Sequence, residues 1–92
     1  MKDNLAYRAA DNRYDWADRI YARCGRSGVL LPRMSLGLWK GFGATRPLNE
    51  SMRMIHYAFD HGITHFDLAN NYGPPYGSAE ETFGVIMEQS MR

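Results

Sequence analysis

Two kinds of hydrophobic pattern occur along the chain, and each predicts a different element. Residues 34–39 form a short, uncharged and mostly apolar run, and residues 63–67 are rich in β-branched and aromatic side chains; both patterns are typical of strands. Between them, residues 49–61 predict a helix, because apolar side chains recur at spacings of four, three and four and so share one face. These side chains are Leu48, Met52, Ile55 and Phe59.

Glycine and capping residues mark where the helices begin and end. Gly62 follows the first helix at the position that favours a left-handed C-terminal cap. A dense turn signal over 70–77 precedes a second predicted helix over 78–90, in which Ser78 and Glu81 have the spacing of a capping box. The apolar face of this second helix is predicted to contain Ala79, Phe83, Ile86 and Met87.

The segment before the first strand predicts a β-hairpin. Two short runs flank a glycine-containing turn at 25–28, which favours a hairpin over 21–31. Pro32 is expected to end the pairing, since it has no N–H to donate to a neighbouring strand.

The first residues have a different character. Residues 1–19 carry alternating charges without a sustained period, and they predict a flexible polar extension with a short helical stretch. Tyr14 and Trp16 are expected to fold back from it onto the body of the protein. We therefore divide the chain into an extension at 1–19 and a body at 20–92.

The order of the predicted elements indicates an α/β fold. A strand, a helix and a second strand within about 30 residues form a unit that requires parallel strands. Two such strands with two helices correspond to the first quarter of an eight-fold (β/α) barrel, which needs about 250 residues. We expect a truncated (β/α)8 barrel preceded by the hairpin. The isolated chain is expected to be poorly soluble or partly molten, because its sheet edges and apolar helix faces are uncovered.

Composition excludes several classes of protein. The 92 residues have a net charge of +1 and no extended basic cluster, so no nucleic-acid partner is expected. No apolar run approaches the ~20 residues of a membrane span, and the charged N-terminus does not resemble a signal peptide. The single cysteine, Cys24, excludes an internal disulfide and suggests a reducing compartment. We expect a cytoplasmic protein.

Candidate chemistry lies where the predicted strands end, because active sites of parallel α/β folds gather there. Asp67 ends the second strand, and Tyr72 follows five residues later, close enough to meet above that strand end. A tyrosine acts as a general acid when a nearby cation lowers its pKa from about 10. A structural role is the alternative, in which Asp67 accepts hydrogen bonds from the turn and Tyr72 packs. The three histidines lack the partners of a metal site.

Several segments resemble the aldo-keto reductases. The start of that family is similar to residues 23–28, 31–32 and 35–39, and its signature around the catalytic Asp and Tyr is similar to residues 62–73. The continuation at 74–81 resembles the branch that holds bacterial glyceraldehyde 3-phosphate reductases and potassium-channel β-subunits.

The resemblance implies a (β/α)8 barrel whose bottom is closed by the N-terminal hairpin, and reduction of aldehydes or ketones with NADPH or, less often, NADH. It implies that Tyr72 donates a proton to the carbonyl oxygen, and that Asp67 orients the lysine that acidifies this tyrosine and lies near the nicotinamide ribose. Leu38 and Trp39 would line the nicotinamide and the substrate. The family's lysine and histidine follow its third and fourth strands, beyond the two strands predicted here.

Two functions of different classes are therefore expected. The first is an NADPH-dependent oxidoreductase of the aldo-keto reductase type with a small carbonyl substrate, of which this chain is a part that is inactive alone. The second is a non-catalytic remnant or interaction piece of such a protein, which self-associates through exposed apolar faces. A downstream reading frame that supplies a strand ending in lysine and then one ending in histidine would favour the first.

Overall fold

The computed structural model describes residues 7–39, 42–43, 46–72 and 75–91. Outside these residues lie the start of the extension (1–6), four positions between the first predicted strand and the first predicted helix (40–41 and 44–45), two positions of the predicted turn (73–74) and residue 92. The elements of the body follow the predicted order.

The body contains a two-stranded parallel sheet. Strand β3 is Leu36–Gly37 and strand β4 is Phe66–Asp67, with Leu36 opposite Phe66 and Gly37 opposite Asp67. The Leu36 N–H donates to the His65 carbonyl at 3.1 Å. The predicted parallel pairing is confirmed, although each strand is shorter than its apolar run. The pair is consistent with a part of a (β/α)8 barrel, whose closure remains a prediction.

Helix α2 spans Leu48–Asp60, and its predicted apolar face is confirmed in part, since Ile55 is buried and Met52 packs against the buried core. Its buried residues are Ser51, Ile55 and Ala58, whereas Leu48 remains 39% exposed. The predicted face did not include the buried residues Ser51 and Ala58, because the pattern was drawn from large apolar side chains. The small size of these two residues allows the helix to approach its neighbours closely. Ile55 joins a buried cluster with Leu38, Phe42, Ala79 and Ile86.

Gly62 ends α2 as predicted. Its φ is +91°, its N–H donates to the Phe59 carbonyl at 3.0 Å, and the Ile63 N–H donates to the Ala58 carbonyl at 3.0 Å. These two bonds form a Schellman motif, which satisfies carbonyls at the helix end and turns the chain into β4.

Helix α3 spans Ser78–Ile86 and continues as a π-helical turn over Met87–Met91, which agrees with the predicted helix. The predicted capping box is wrong. The N-cap is Gly77, in a left-handed conformation, and the Glu81 N–H donates to the Gly77 carbonyl at 3.1 Å. Ser78 is therefore the first residue inside the helix, one position too late to cap it.

The predicted hairpin is confirmed, with strand β1 at Tyr21–Arg23 and strand β2 at Leu30–Pro32. Pro32 does not end the pairing, because it lies opposite Tyr21. The Arg33 N–H donates to the Ile20 carbonyl at 2.6 Å, so the next pair along the ladder is hydrogen-bonded. Hydrogen-bonded and non-hydrogen-bonded pairs alternate. Pro32 thus occupies a position where no N–H is needed.

Residues 7–20 are helical in part and lie against α2. A 3-10 turn at Asp11–Tyr14 precedes the short helix α1, Ala17–Ile20. The Asp60 carboxylate accepts hydrogen bonds from the Tyr7 hydroxyl at 2.6 Å and from the Ala10 N–H at 2.9 Å. The helical stretch is confirmed, but this part of the extension is fixed to α2 by bonds that span about 50 positions.

The two aromatic residues that were expected to fold back behave differently from each other. The Tyr14 ring lies 5.9 Å from the Tyr21 ring, whereas Trp16 is 59% exposed. The Arg19 guanidinium lies 5.1 Å from the Trp16 ring. Across the described residues, no helix has both the length and the apolar character that a bilayer crossing requires.

Candidate active site

The two strand ends that were predicted to carry the chemistry are neighbours. Leu38 follows β3, Asp67 ends β4, and the Leu38 N–H donates to the Asp67 carbonyl at 3.0 Å. Parallel pairing thus places both chain segments at one edge of the sheet. We call Leu38, Trp39, Asp67 and Tyr72 the strand-end rim.

Consecutive rim residues on the first segment have opposite environments. The Leu38 side chain is 0% exposed and belongs to the buried cluster, whereas Trp39 is 58% exposed. Leu38 therefore anchors the segment in the core, and the Trp39 ring is the part that a ligand can reach.

Tyr72 brings the second segment to the first. Its ring centroid lies 6.4 Å from that of Trp39, with 35° between the ring planes. Tyr72 is half-buried and packs against the buried cluster, while Asp67 is exposed. The structure thus brings the tyrosine to the tryptophan, and over the described residues no hydrogen bond joins the Asp67 and Tyr72 side chains. This ring contact was not predicted.

The main chain of Tyr72 is held at both of its polar groups. Its N–H donates to the Ala69 carbonyl at 3.0 Å, and its carbonyl accepts from the Gly77 N–H at 3.0 Å and the Ala79 N–H at 3.3 Å. The loop between β4 and α3 is therefore closed on the tyrosine itself. The turn-rich sequence predicts a turn at this place, but does not indicate which carbonyl closes it.

The three histidines occupy separate places. His65 Nδ1 lies 2.8 Å from Ser35 Oγ at the entry to the two strands. His56 Nε2 lies 2.8 Å from Ser90 Oγ, and His61 Nδ1 lies 2.8 Å from the Tyr57 carbonyl oxygen. Among the described residues, no group of three His, Cys, Asp or Glu side chains converges as a metal site would require.

Among the described residues, the titratable groups with shifted pKa values lie on α2 and on the N-terminal segment that packs against it. Burial lowers the pKa of His56, and the nearby Asp60 charge partly opposes this shift. Burial raises the pKa of Tyr7, and the hydrogen bond to Asp60 raises it further. The Tyr7 and His56 rings are stacked with centroids 3.6 Å apart, so both shifts belong to one contact outside the rim.

An apolar groove of about 410 Å³ lies on the flank of α2. Tyr57 and Met54 on its wall are 67% and 42% exposed. Leu36 from β3, Ala58 from α2 and Ile63 from the segment before β4 also line the groove. Arg53 and His61 complete the lining. The groove is separate from the rim and offers a surface for packing.

Comparison with known proteins confirms the resemblance to the aldo-keto reductases. The model of the aldo/keto reductase family matches residues 33–92. The chain is similar to L-glyceraldehyde 3-phosphate reductase of Escherichia coli K12, with 56% identity over 75% of this chain and 20% of the relative. It is also similar to a probable voltage-gated potassium channel subunit beta of Arabidopsis thaliana, at 34% identity over the same shares. The chain spans about a fifth of the length of these curated relatives.

Proposed function

The chain belongs to the aldo/keto reductase family, and from that premise we propose that it carries the proton-donating part of an NADPH-dependent oxidoreductase that reduces aldehydes or ketones. The observation that supports this most is the pairing of Tyr72 with the exposed Trp39 ring at the end of two parallel strands. Such a strand end is where (β/α) barrels place their catalytic groups.

Each rim residue has a role in this proposal. Tyr72 donates its hydroxyl proton to the substrate's carbonyl oxygen as the carbonyl carbon accepts a hydride, so the C=O double bond becomes an alcohol. Asp67 holds the family's lysine, whose charge favours loss of the tyrosine proton. That lysine and the family's histidine lie on barrel strands other than β3 and β4.

The rim residues fit the nicotinamide side of the proposed cofactor. Trp39 presents a flat, exposed ring, and Asp67 presents an exposed carboxylate that can accept hydrogen bonds from ribose hydroxyls. Leu38 is buried, so its contribution to binding is to anchor Trp39. Bound NADPH supplies the hydride.

A hybrid protein tests the proposal. We define the hybrid reductase as E. coli L-glyceraldehyde 3-phosphate reductase in which residues 1–92 of this chain replace the segment that it matches and the residues before that segment. The assay is loss of NADPH absorbance with methylglyoxal or glyceraldehyde 3-phosphate. Tyr72→Phe should reduce kcat by about 10²- to 10⁴-fold, the usual contribution of a positioned general acid, while the Kd for NADPH stays within about twofold because only the hydroxyl is removed.

Tyr76→Phe is the matched control. Tyr76 is four residues further along and 83% exposed, so its hydroxyl has no role in the proposal and its loss should leave kcat unchanged. A Tyr72→Phe hybrid that keeps its rate would disprove the assignment of Tyr72 as the proton donor.

Asp67 and the isolated chain give two further tests. Asp67→Asn should lower kcat less than Tyr72→Phe does, because it loosens the lysine but leaves the donor in place. The 92-residue chain alone should show no useful turnover, since the groups that hold the cofactor and orient the substrate provide about 7–11 kcal/mol in proximity alone. Robust turnover by the isolated chain would contradict the need for the remaining barrel.

The alternative function is that of an interaction piece, and the groove on α2 favours it. Tyr57, Met54 and Leu36 present apolar surface of the kind that packs against another protein. Sedimentation and light scattering of the 92-residue chain would show self-association, and Tyr57→Lys should reduce it. A monomer with a sharp cooperative thermal transition would count against this alternative and against the predicted instability of the isolated chain.

A further inference from the structure

We propose that Gly77 is a positioning residue for Tyr72. Its left-handed backbone turns the chain so that its own N–H group and that of Ala79, the second residue of α3, bind the carbonyl of Tyr72. The catalytic consequence of this inference rests on the proposed function, whereas the positioning itself does not.

The hydrogen bonds define the arrangement. The Gly77 N–H and the Ala79 N–H both donate to the Tyr72 carbonyl, at 3.0 Å and 3.3 Å. N–H groups in the first turn of a helix have no partner inside the helix and are usually satisfied by a capping side chain. In α3 the cap residue is a glycine, which has no side chain, and a backbone carbonyl from five residues earlier takes that place.

The conformation of Gly77 makes these bonds possible. Its φ and ψ are +88° and −11°, a region that residues other than glycine rarely occupy. A Cβ at this position would lie 3.8 Å from the Asn70 carbonyl oxygen, an ordinary contact. The requirement for glycine therefore comes from the backbone angles and not from lack of space. A residue with a side chain would favour other backbone angles at this position and so change the direction in which the chain leaves the turn.

The position of the carbonyl determines the position of the ring. Ala79 is 0% exposed and fixed in the buried cluster, so the donor side of the bond cannot follow a displaced acceptor. The Tyr72 ring packs against the same cluster and lies 6.4 Å from Trp39. A change of turn at Gly77 therefore moves the tyrosine relative to the rim, and a misplacement of ~1 Å in an active site can cost about 10²-fold in rate.

Four glycine variants of the hybrid reductase test the inference. Gly77→Ala replaces the residue in question, and Gly77→Asn replaces it with a side chain that tolerates left-handed angles. Gly62→Ala is a control for lost stability, because Gly62 also has a positive φ but lies at the other end of β4. Gly84→Ala is a control within α3, where an added Cβ meets nothing within 4 Å.

Two readouts separate positioning from stability. The first is the split between kcat and KM at a temperature where every variant is folded by circular dichroism. The second is the ¹⁹F chemical shift of 3-fluorotyrosine incorporated at position 72, which reports the ring environment in the absence of turnover. Gly77→Ala should lower kcat by about 10- to 100-fold, leave the KM for NADPH within about twofold, and move the ¹⁹F signal. Gly77→Asn should keep most of the kcat and most of the original ¹⁹F shift. Gly62→Ala and Gly84→Ala should change neither kcat nor the ¹⁹F shift.

Each result decides one question. An unmoved ¹⁹F signal in Gly77→Ala overturns the positioning role, as does an equal shift in Gly62→Ala, which would mark a general response to lost stability. If the unsubstituted hybrid has no activity, the proposed function fails, and the ¹⁹F signals of the four variants still test the positioning of Tyr72.

Discussion

The two ends of the parallel strands are built differently. At the strand-end rim, the Trp39 and Asp67 side chains are exposed, and the two segments are joined by the backbone hydrogen bond between Leu38 and Asp67 and by the ring contact between Trp39 and Tyr72. At the opposite end, which we call the base, Tyr21 of the hairpin donates to the Gly62 carbonyl, and Ser35 pairs with His65. Side-chain hydrogen bonds therefore hold the base together, whereas Trp39 and Asp67 at the rim expose their side chains to solvent. In (β/α) barrels, residues at the first end serve catalysis and residues at the second serve stability.

Gly62→Ala should have the largest effect on stability. A Cβ there would lie 2.8 Å from Ile20 Cδ1 and 2.9 Å from the Arg13 carbonyl oxygen, at a φ of +91°. The backbone strain and the overpacking together should cost about 2–4 kcal/mol. Urea denaturation of the hybrid reductase measures the loss, and kcat per folded molecule should stay unchanged. A fall in kcat at constant folded fraction would show that the two ends are coupled.

Ser51→Ala tests the core between the two ends. The Ser51 side chain is 0% exposed, and its Oγ has no hydrogen-bond partner among the residues that the structure describes. Removing an unsatisfied buried hydroxyl should raise the free energy of unfolding by about 1 kcal/mol. Ser90→Ala is the matched control, because the Ser90 hydroxyl contacts His56 and donates to the Ile86 carbonyl. Ser90→Ala should lower the free energy of unfolding by a similar amount. If both substitutions changed the free energy of unfolding in the same direction, the Ser51 hydroxyl could not be an unsatisfied group.

The pH dependence of stability should depend on His56. Burial lowers its pKa in the folded protein, so the unfolded state binds more protons once the pH falls below about 6.5. Stability should then decrease as pH falls, with a slope of at most about 1.4 kcal/mol per pH unit for one group. His56→Gln should flatten this part of the profile. An unchanged profile in this variant would assign the pH dependence to other groups.

Trp39→Ala should have the smallest effect on stability, below about 1 kcal/mol, because the side chain is 58% exposed and therefore buries little apolar surface. The same substitution should still lower kcat by about tenfold, as the ring that borders the tyrosine is removed. Parallel urea and NADPH assays compare the two quantities. A large loss of stability with unchanged turnover would show that Trp39 serves stability and not catalysis, which is the role assigned to residues of the base.

Local signals in the sequence were sufficient for much of the fold. The cap at Gly62, the hairpin and the parallel order of β3 and β4 each follow from residue types within a few positions or from the length of the connection. The capping box failed because Ser78 has the right spacing to Glu81, but the preceding glycine adopts the left-handed conformation and becomes the cap. Pro32 was placed outside the hairpin because the sequence does not show which pairs of the ladder are hydrogen-bonded.

The candidate site was predictable in its members and not in its contacts. Asp67 and Tyr72 follow from the position of strand ends, whereas the contact between Tyr72 and Trp39 depends on how a loop packs after two separate segments have paired. The docking of Tyr7 on Asp60 was missed for a similar reason. The two residues are 53 positions apart, and a polar segment gives no periodic signal of its partner.

The bond between Tyr7 and Asp60 also has a consequence for the timing of synthesis. Asp60 is made 53 residues after Tyr7, which at ~5–20 residues per second corresponds to roughly 3–10 s of translation. During this interval the first segment emerges before the carboxylate that will bind it exists. The alternating charges of this segment keep it hydrated until Asp60 has been synthesised. A more apolar segment in the same place would bind other nascent chains during this interval.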